Sequence, residues 1–580
     1  MAANTLRPEI HASRHAVSAG HYLASAAALA VLEAGGNAID AGVCGGIALG
    51  VLQSDLVGVA GVAPIMIWLE EEQRVVTISG LGWWPKAASS AWFRDNHGGL
   101  QPKGVMSTVI PSAPDAWLTA LEHWGTMSFG DCAAAAIRFA REGFAMNPLL
   151  HQTIAQNVET YRSFPSSAAI YLKDNEAPPV GSRFVQDDLG RTLQYLVDQE
   201  RGAAAKGGRM AGLAAVRQAF YKGDVAKVMT DFIQREGGWL TMEDMAGFRV
   251  GIEAPVSTRF GDTEVFTCGP WCQGPALLEI LNIVERFDVA SLGHNSPHYV
   301  HLLTEATKLA MADREAWIGD PRHMHVPIGA LSSKEFAATR ATQFEWDKAW
   351  PARPPAASGA DLGVVGDAPR LKQPPPALPG EVETLSSLDT SYLCVADSKG
   401  NVFSATPSDG SYNSPVVPGL GFVASTRGIQ SWAEEGHPSE IAPYRRPRLT
   451  PNPAIAIQGR KFMPFGTPGG DVQTQAMLQT LLNLVVWGKG AQEAVEAPRF
   501  ASYSFPSSFE PHSEFPGLLR LEGRMDRETG DELAGLGHKV EWWPDMTWLA
   551  GSMGLIVDDR DTGFKSAAAD PRRMAYAVGV

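Results

Sequence analysis

The pattern of apolar and polar positions predicts a chain that mixes helices and strands. Apolar residues recur at helical spacing in residues 21–33, 38–52, 113–124, 129–142, 274–286, 297–317 and 472–487. Strand-like patterns cover residues 62–70, 75–79, 256–268, 391–397, 402–406, 453–457, 462–465, 553–557 and 574–578. Helices, then strands, then a helix, then strands are typical of a layered α/β (α+β) protein with a largely antiparallel sheet.

A proline-rich stretch interrupts this pattern in the second half of the chain. Eight prolines fall within residues 351–380, and the stretch has no hydrophobic periodicity. Because proline lacks an N–H group, such a stretch cannot hold a helix or an interior strand. We therefore expect an exposed, extended or disordered connector, followed directly by a β-hairpin over residues 391–406.

Composition and charge exclude several classes of function. The 580 residues carry a formal net charge of −15, and no basic helix or stripe is visible, so nucleic-acid binding is not expected. The longest apolar run, residues 41–52, is too short to cross a membrane, and no targeting signal is visible at the start of the chain. We expect a cytoplasmic protein without membrane contact.

The cysteines and histidines give little support to a metal site or a disulfide framework. The five cysteines are an odd and sparse set, and the pair Cys268 and Cys272 lacks a second pair to complete a zinc site. His298, His301 and Glu305 have the spacing of ligands on one helix, but a packed helix explains them better. No metal and no cofactor are predicted.

Thr390 lies at the junction between the proline-rich connector and the hairpin. If the peptide bond before it were cut, its α-amine, with an ordinary pKa near 7.7–8, would lie beside its own hydroxyl. A neutral amine there can take the hydroxyl proton and make the threonine a nucleophile. Most threonines at strand starts are simply good strand formers, so the residue alone leaves both interpretations open.

Residues 466–471, Gly-Thr-Pro-Gly-Gly-Asp, lie between a predicted strand and a long predicted helix. Paired glycines at a helix start expose backbone N–H groups and allow a close approach to a ligand, which suits an oxyanion hole. A tight strand-to-helix turn would explain the same residues. A phosphate loop is excluded because no Gly-Lys-Ser/Thr sequence follows.

Six stretches in register resemble one known family. They are His15-Ala-Val-Ser-Ala-Gly-His21, Leu32-Glu-Ala-Gly-Gly-Asn-Ala-Ile-Asp40, Ala312-Asp-Arg-Glu-Ala-Trp-Ile-Gly-Asp-Pro321, residues 389–401, residues 466–470 and Glu493-Ala-Val-Glu-Ala-Pro-Arg-Phe500. By these motifs the chain resembles the γ-glutamyltranspeptidase family of N-terminal nucleophile hydrolases. The resemblance implies a four-layer αββα sandwich and a precursor that cuts itself into residues 1–389 and 390–580. These two products would form a heterodimer, and its further dimerisation is left open.

The resemblance also implies roles for individual residues. Thr390 would attack the amide carbonyl of a small molecule and form an acyl-enzyme. The N–H groups of Gly469 and Gly470 would hold the oxyanion. Ser408 stands where the family has a second threonine hydroxyl that supports the nucleophile.

The chain departs from the family at the positions that bind the glutamyl group. Leu81 stands at the position of an arginine that anchors the α-carboxylate, and Gln430 replaces the acidic anchor of the α-amine. Leu449 and Thr450 replace paired serines, and Tyr392 replaces a histidine. A buried charge without its partner is costly, so we expect an altered acyl-group specificity.

Arg427 is the residue with which a substrate carboxylate could pair instead, although a surface arginine is an equal interpretation. Tyr392, Gln430 and Thr450 complete the predicted substrate site, and the tryptophans 83, 84 and 271 could line an acyl pocket or simply fill the core. Two alternatives stay open at this point. One is a genuine γ-glutamyltransferase that hydrolyses glutathione, and the other is a non-catalytic protein that keeps the fold.

Overall fold

Two seven-stranded antiparallel sheets lie face to face at the centre of the protein. The structure is a computed structural model that describes residues 5–366, 369, 371 and 389–580. The strands are β1 (Ile10–Ala12), β2 (Ala16–Ala19), β3 (Ile65–Leu69), β4 (Arg74–Ile78), β5 (Phe144–Ala145), β6 (Arg183–Phe184), β7 (Ile252–Glu253), β8 (Val256–Phe260), β9 (Thr263–Thr267), β10 (Leu393–Ala396), β11 (Val402–Ala405), β12 (Ala454–Gln458), β13 (Lys461–Gly466), β14 (Phe500–Ser502), β15 (Leu518–Glu522), β16 (Lys539–Trp543), β17 (Gly554–Asp559), β18 (Phe564–Ala569) and β19 (Tyr576–Gly579).

Strand order shows how the two parts of the sequence interleave. The first sheet has the order β1-β18-β17-β13-β12-β9-β8, and the second has the order β19-β2-β10-β11-β3-β4-β7. Strands from before and after residue 389 are hydrogen-bonded neighbours in both sheets. Residues 1–389 and 390–580 are therefore not separate folding units, and each contributes strands to one common core.

Helices cover the outer face of each sheet. They are α1 (Tyr22–Glu33), α2 (Ala38–Leu52), α3 (Ser90–His97), α4 (Ala113–Trp124), α5 (Phe129–Glu142), α6 (Pro148–Gln156), α7 (Val158–Ser163), α8 (Pro165–Tyr171), α9 (Asp187–Tyr221), α10 (Asp224–Arg235), α11 (Met242–Gly247), α12 (Gly274–Val284), α13 (Pro297–Trp317), α14 (Ile328–Leu331), α15 (Lys334–Ala341), α16 (Val472–Val485), α17 (Ala491–Glu496) and α18 (Arg527–Gly535). Helices α1 and α2 pack on the second sheet, and α12, α16 and α17 pack on the first. The expected four-layer αββα sandwich is confirmed.

Helix α2 is buried along its whole length, which explains its unusual composition. Asn37 caps its first turn and forms a capping box with Asp40. A Cβ atom at Gly42 would lie 2.3 Å from the Phe403 ring, and one at Gly46 would lie 2.5 Å from the Trp117 ring. The glycines are therefore required because aromatic side chains press against the helix backbone on two sides.

Two predicted elements differ from the structure. The single strand expected over residues 256–268 is a hairpin, β8 and β9, which turns at Gly261, where φ is +59°. The connector expected to be exposed is partly packed: Ala357 and Leu362 are buried beside Trp317. The rest of it, residues 367–368, 370 and 372–380, lies outside the described residues.

None of the helices in the described ranges combines the length and the apolar character that crossing a membrane requires.

Candidate active site

Thr390 lies three residues before β10, a central strand of the second sheet. The residue is fully buried, and its N–H donates to the Leu56 carbonyl over 2.8 Å. Its φ is +84°, in the region that favours glycine. For a β-branched residue this conformation is a genuine outlier that costs about 1–3 kcal/mol. The strain lies at the peptide bond between Asp389 and Thr390, and cutting that bond would release it.

The hydroxyl of Thr390 takes part in a closed network of four side chains. It donates to Asp389 Oδ1 over 2.7 Å and lies 2.7 Å from Ser408 Oγ. Because the single hydroxyl proton of Thr390 goes to the carboxylate, Ser408 is the donor in the second bond. Arg427 Nη2 closes the ring, 2.6 Å from Ser408 Oγ and 2.6 Å from Asp389 Oδ2.

Arg427 is the buried cation of this network. Burial alone would lower the pKa of its guanidinium, but the carboxylates of Asp389 and Asp409 outweigh burial and raise that pKa above its usual value. Asp409 Oδ1 lies 3.6 Å from Nη2. Nε and Nη1 are buried and have no hydrogen-bond partner among the described residues. Arg427 is therefore no surface arginine, and two of its nitrogen atoms beside the Thr390 network have no partner among the described residues.

A second buried arginine, Arg573, contacts the backbone of Thr390. Arg573 Nη1 donates to the Thr390 carbonyl over 3.2 Å, and its Nε and Nη2 atoms have no partner in the described part of the chain. Burial lowers its pKa to about 10, while burial raises the pKa of nearby Asp55 to about 7. Sequence reasoning missed both residues, because no local pattern marks a contact across 183 positions.

The glycine loop lies between β13 and α16. Gly469 has φ of +128° and Gly470 has φ of +57°, so both need the freedom of glycine. Gln273 Nε2 holds the Gly470 carbonyl over 3.0 Å. Neither glycine N–H donates a hydrogen bond within the described ranges of the chain. Two N–H groups are thus left for a ligand, as an oxyanion hole requires.

The predicted glutamyl-binding positions hold neutral or apolar groups. Gln430 Nε2 donates to Thr450 Oγ1 over 2.7 Å, and Gln430 Oε1 accepts from the Thr450 N–H over 3.2 Å. Leu81 and Leu449 are buried together in the apolar layer between the sheets. The amide of Gln430 therefore satisfies Thr450 and leaves no charge at this position.

Tyr392 occupies the layer between the sheets. Its ring packs against Gly466 and Gly554, and its hydroxyl lies 2.7 Å from Ser404 Oγ. Such full packing favours a structural role over the predicted contact with substrate.

The predicted tryptophans do not form one pocket. Trp84 and Trp271 are fully buried in different apolar clusters, and their indole N–H groups donate to Ser431 and Glu253. Trp83 is half-buried and lies under the Arg322 guanidinium. Packing therefore explains Trp84 and Trp271, and their predicted contact with an acyl group has no support.

A cluster of two histidines and a carboxylate lies elsewhere, between α13 and the residues that follow α18. His301, Glu305 and His538 bring their donor atoms within 4.8 Å of one another. The ammonium group of Lys308 lies 2.7 Å from Glu305 Oε1, and His301 Nδ1 lies 2.8 Å from His538 Nε2. A cation of the protein therefore already pairs with the carboxylate, and hydrogen bonds account for the cluster better than a metal does.

Comparison with known proteins shows the family to which the chain belongs. The family model described as Gamma-glutamyltranspeptidase matches residues 24–580. The chain belongs to the γ-glutamyltranspeptidase family. It is 30% identical to the acylase ACY 1 proenzyme of Pseudomonas sp. (strain SE83), with 98% of this chain and 94% of that protein covered.

Two further proteins are similar to this chain over nearly its whole length. The glutathione hydrolase-like YwrD proenzyme of Bacillus subtilis (strain 168) is 29% identical, over 98% of this chain and 99% of that one. The solved structure of LmbA2991HD has a TM-score of 0.90 and 36% identity, over 99% of this chain and 100% of the other. The chain is therefore an enzyme, an amidohydrolase of the γ-glutamyltranspeptidase family, and two of its relatives are named as proenzymes.

Ser408→Ala tests the support of the nucleophile. We expect both chain cleavage and amide turnover to slow by about 10- to 100-fold, because the variant removes a 2.7 Å hydrogen bond to Thr390 Oγ1. Ser408→Thr, which restores the hydroxyl and adds a methyl group, is the matched control. Timed electrophoresis and an amide assay measure the two rates. Wild-type rates in Ser408→Ala would show that this hydroxyl is not needed.

Proposed function

We propose that the chain is an autoprocessing N-terminal threonine amidohydrolase with an altered acyl-group specificity. It would cleave a small-molecule amide through an acyl-enzyme on Thr390 Oγ1. The observation that supports this most strongly is the strained backbone of Thr390. Its hydroxyl is hydrogen-bonded to Asp389 and Ser408, directly beside the Asp389–Thr390 peptide bond that would be cut. Two relatives are proenzymes by name, which agrees with a precursor of this kind.

Autoprocessing starts from a threonine whose nitrogen is still an amide and cannot accept a proton. Asp389 Oδ1 is therefore the group that takes the proton when Thr390 Oγ1 attacks the Asp389 carbonyl carbon. The C–N bond then breaks, and the same proton passes to the departing nitrogen of Thr390. Water hydrolyses the resulting ester, which leaves a carboxylate on Asp389 and a free amine and hydroxyl on Thr390.

Turnover of a substrate repeats these steps with the new amine as the base. The α-amine of Thr390 takes the hydroxyl proton, Oγ1 attacks the substrate amide, and the proton goes to the leaving amine. Water then attacks the ester and releases the acid. Gly469 and Gly470 would hold the oxyanion in both halves of the reaction, since their N–H groups have no partner in the described part of the chain.

The lining of the site favours an acyl group other than γ-glutamyl. The Gln430–Thr450 pair is neutral, and Leu81 and Leu449 are apolar, so the two charges of a glutamyl group would lack their usual partners. Each uncompensated charge costs about 1–3 kcal/mol or more. Arg427 instead offers a buried cation to a substrate carboxylate. The name of the ACY 1 acylase agrees with a wider choice of acyl groups in the family.

N-terminal sequencing of the purified protein tests the proposal. We expect two fragments of about 42 and about 20 kDa, in proportion to residue number, and the smaller one should begin Thr-Ser-Tyr-Leu. The two should elute together on gel filtration, because strands from both parts are hydrogen-bonded neighbours in both sheets. A single uncut chain without turnover would contradict the proposal and favour a non-catalytic member of the family. The cytoplasmic location stays a prediction.

A further inference from the structure

The uncleaved chain carries its own acyl group at the nucleophile. Thr390 Oγ1 attacks the Asp389 carbonyl during processing, so the Asp389 acyl group is the first that this oxygen accepts. The side chain of Asp389 is buried, and its Oδ2 atom lies 2.6 Å from Arg427 Nη2. Asp389 therefore resembles the acyl part of a substrate that has a free carboxylate in addition to the attacked carbonyl. In such a substrate the free carboxylate would pair with Arg427, as the side chain of Asp389 does.

The covalent structure of aspartate defines the spacing between the attacked carbonyl carbon and the carboxylate. Two carbon atoms, Cα and Cβ, separate its reacting carbonyl carbon from the carboxylate carbon. An acyl group with the same spacing is derived from a four-carbon dicarboxylic acid, such as succinate or aspartate. A glutaryl group is one methylene longer, and malonyl and oxalyl groups are shorter.

The arginine and the nucleophile are held at a fixed separation. Ser408 Oγ lies 2.6 Å from Arg427 Nη2 and 2.7 Å from Thr390 Oγ1, so one hydroxyl bridges the cation and the reacting oxygen. Arg427 is fully buried and has little room to follow a longer or shorter acyl group. The bridge therefore favours one distance between the carboxylate and the attacked carbonyl.

Cleavage changes the electrostatics of this position. If the new terminus at Asp389 leaves the site, Arg427 would lose its 2.6 Å ion pair, and Asp409, at 3.6 Å, would be its one remaining carboxylate partner among the described residues. Nε and Nη1 already lack a partner among the described residues. A buried guanidinium without a close anion is unfavourable, so the mature site would attract an anion of the size just removed.

We infer that the mature enzyme acts on monoamides of four-carbon dicarboxylic acids, namely succinyl and aspartyl amides, with the free carboxylate on Arg427. This inference rests on the proposed function and gives it a substrate class. The nucleophile, oxyanion hole and acyl transfer are unchanged. The specificity for acyl length and charge comes from the position beside Arg427 that the side chain of Asp389 occupies before cleavage.

A series of p-nitroanilides of increasing acyl length tests the inference on the processed wild-type enzyme. The probes are the oxalyl, malonyl, succinyl, glutaryl and uncharged butyryl anilides. We expect kcat/KM to be highest for succinyl, by roughly 10-fold over glutaryl and malonyl and by about 100-fold over butyryl, which has a similar length but no carboxylate. Free succinate should inhibit more strongly than glutarate or butyrate.

Arg427→Met and Arg427→Lys form a matched pair of variants. The methionine should abolish the preference for succinyl over butyryl, and the lysine, which keeps the charge, should retain part of it. If the methionine variant does not fold or does not cleave its own chain, the anilide series and the inhibition by succinate, both measured on the wild-type enzyme, still test the inference.

The outcomes separate the inference from the function on which it rests. Fragments that begin Thr-Ser-Tyr-Leu, together with a best substrate of another length or charge, would overturn the inference alone. Correct fragments with none of the five anilides hydrolysed would also overturn it. An uncut chain that hydrolyses no amide would overturn both.

Discussion

Thr390→Ala should leave a single chain of 62.1 kDa and abolish amide turnover. The variant removes the oxygen that attacks the Asp389 carbonyl and the oxygen that later carries the acyl group, and these are the same atom. We expect a loss of about 10⁴-fold or more in kcat, because no other hydroxyl in the network adjoins an α-amine after cleavage. Electrophoresis over several days and an amide assay measure both effects.

Thr390→Ser is the matched control for that variant. Serine keeps the hydroxyl and the future α-amine but loses the methyl group that restricts χ1. It should therefore cleave and turn over, at rates below those of the wild type. Cleavage before residue 390 in Thr390→Ala, or turnover in the uncut variant, would remove Thr390 from its role.

The hairpin after Thr390 could be predicted from local signals, whereas the role predicted for Thr390 depends on the resemblance of six motifs to one family. The connector has no hydrophobic periodicity, and a pattern of strand, turn and strand begins directly after residue 390. Strands β10 and β11 confirm that hairpin. Helices α1, α2 and α13 also follow from their apolar periodicity and their caps, His21, Asn37 and Ser296.

The surroundings of Thr390 could not be predicted in the same way. Arg573 contacts Thr390 across 183 positions, Asp55 interacts with Arg573, and neither residue lies in a recognisable motif. Strand alternation puts Tyr392 on the same face as Thr390, which agrees with its predicted place in the substrate site. Strand β10 is buried on both faces, so alternation alone cannot tell the layer between the sheets from the site.

One set of contacts would account for both the stability and the reactivity of the proposed precursor site. Asp389 neutralises Arg427 and accepts the proton of Thr390 with its two oxygens. The strained φ of Thr390 is held in place because the N–H of Thr390 binds Leu56 and its carbonyl binds Arg573. In the proposed mechanism, cutting the bond between Asp389 and Thr390 would release this strain.

Asp389→Asn should slow the cleavage of the chain by roughly 10²- to 10⁴-fold, the usual contribution of a positioned base. Asparagine has nearly the same shape and can still accept the Thr390 hydrogen bond, but it is not basic enough to take the proton. Pulse-chase electrophoresis gives the rate at which the small fragment appears. The melting temperature of the uncut protein shows whether the variant is folded.

Asp409→Asn is the control, since it removes another buried carboxylate near Arg427. Asp409 binds Ser425 and Thr426 and does not contact Thr390. We expect its cleavage rate to fall less, by roughly 10-fold at most, because Asp409 lies 3.6 Å from Arg427 Nη2 and would take no part in the proton transfer. Wild-type cleavage in Asp389→Asn would mean that another group takes the proton. Equal slowing in both variants would mean that the charge opposite Arg427, rather than proton acceptance by Asp389, controls the cut.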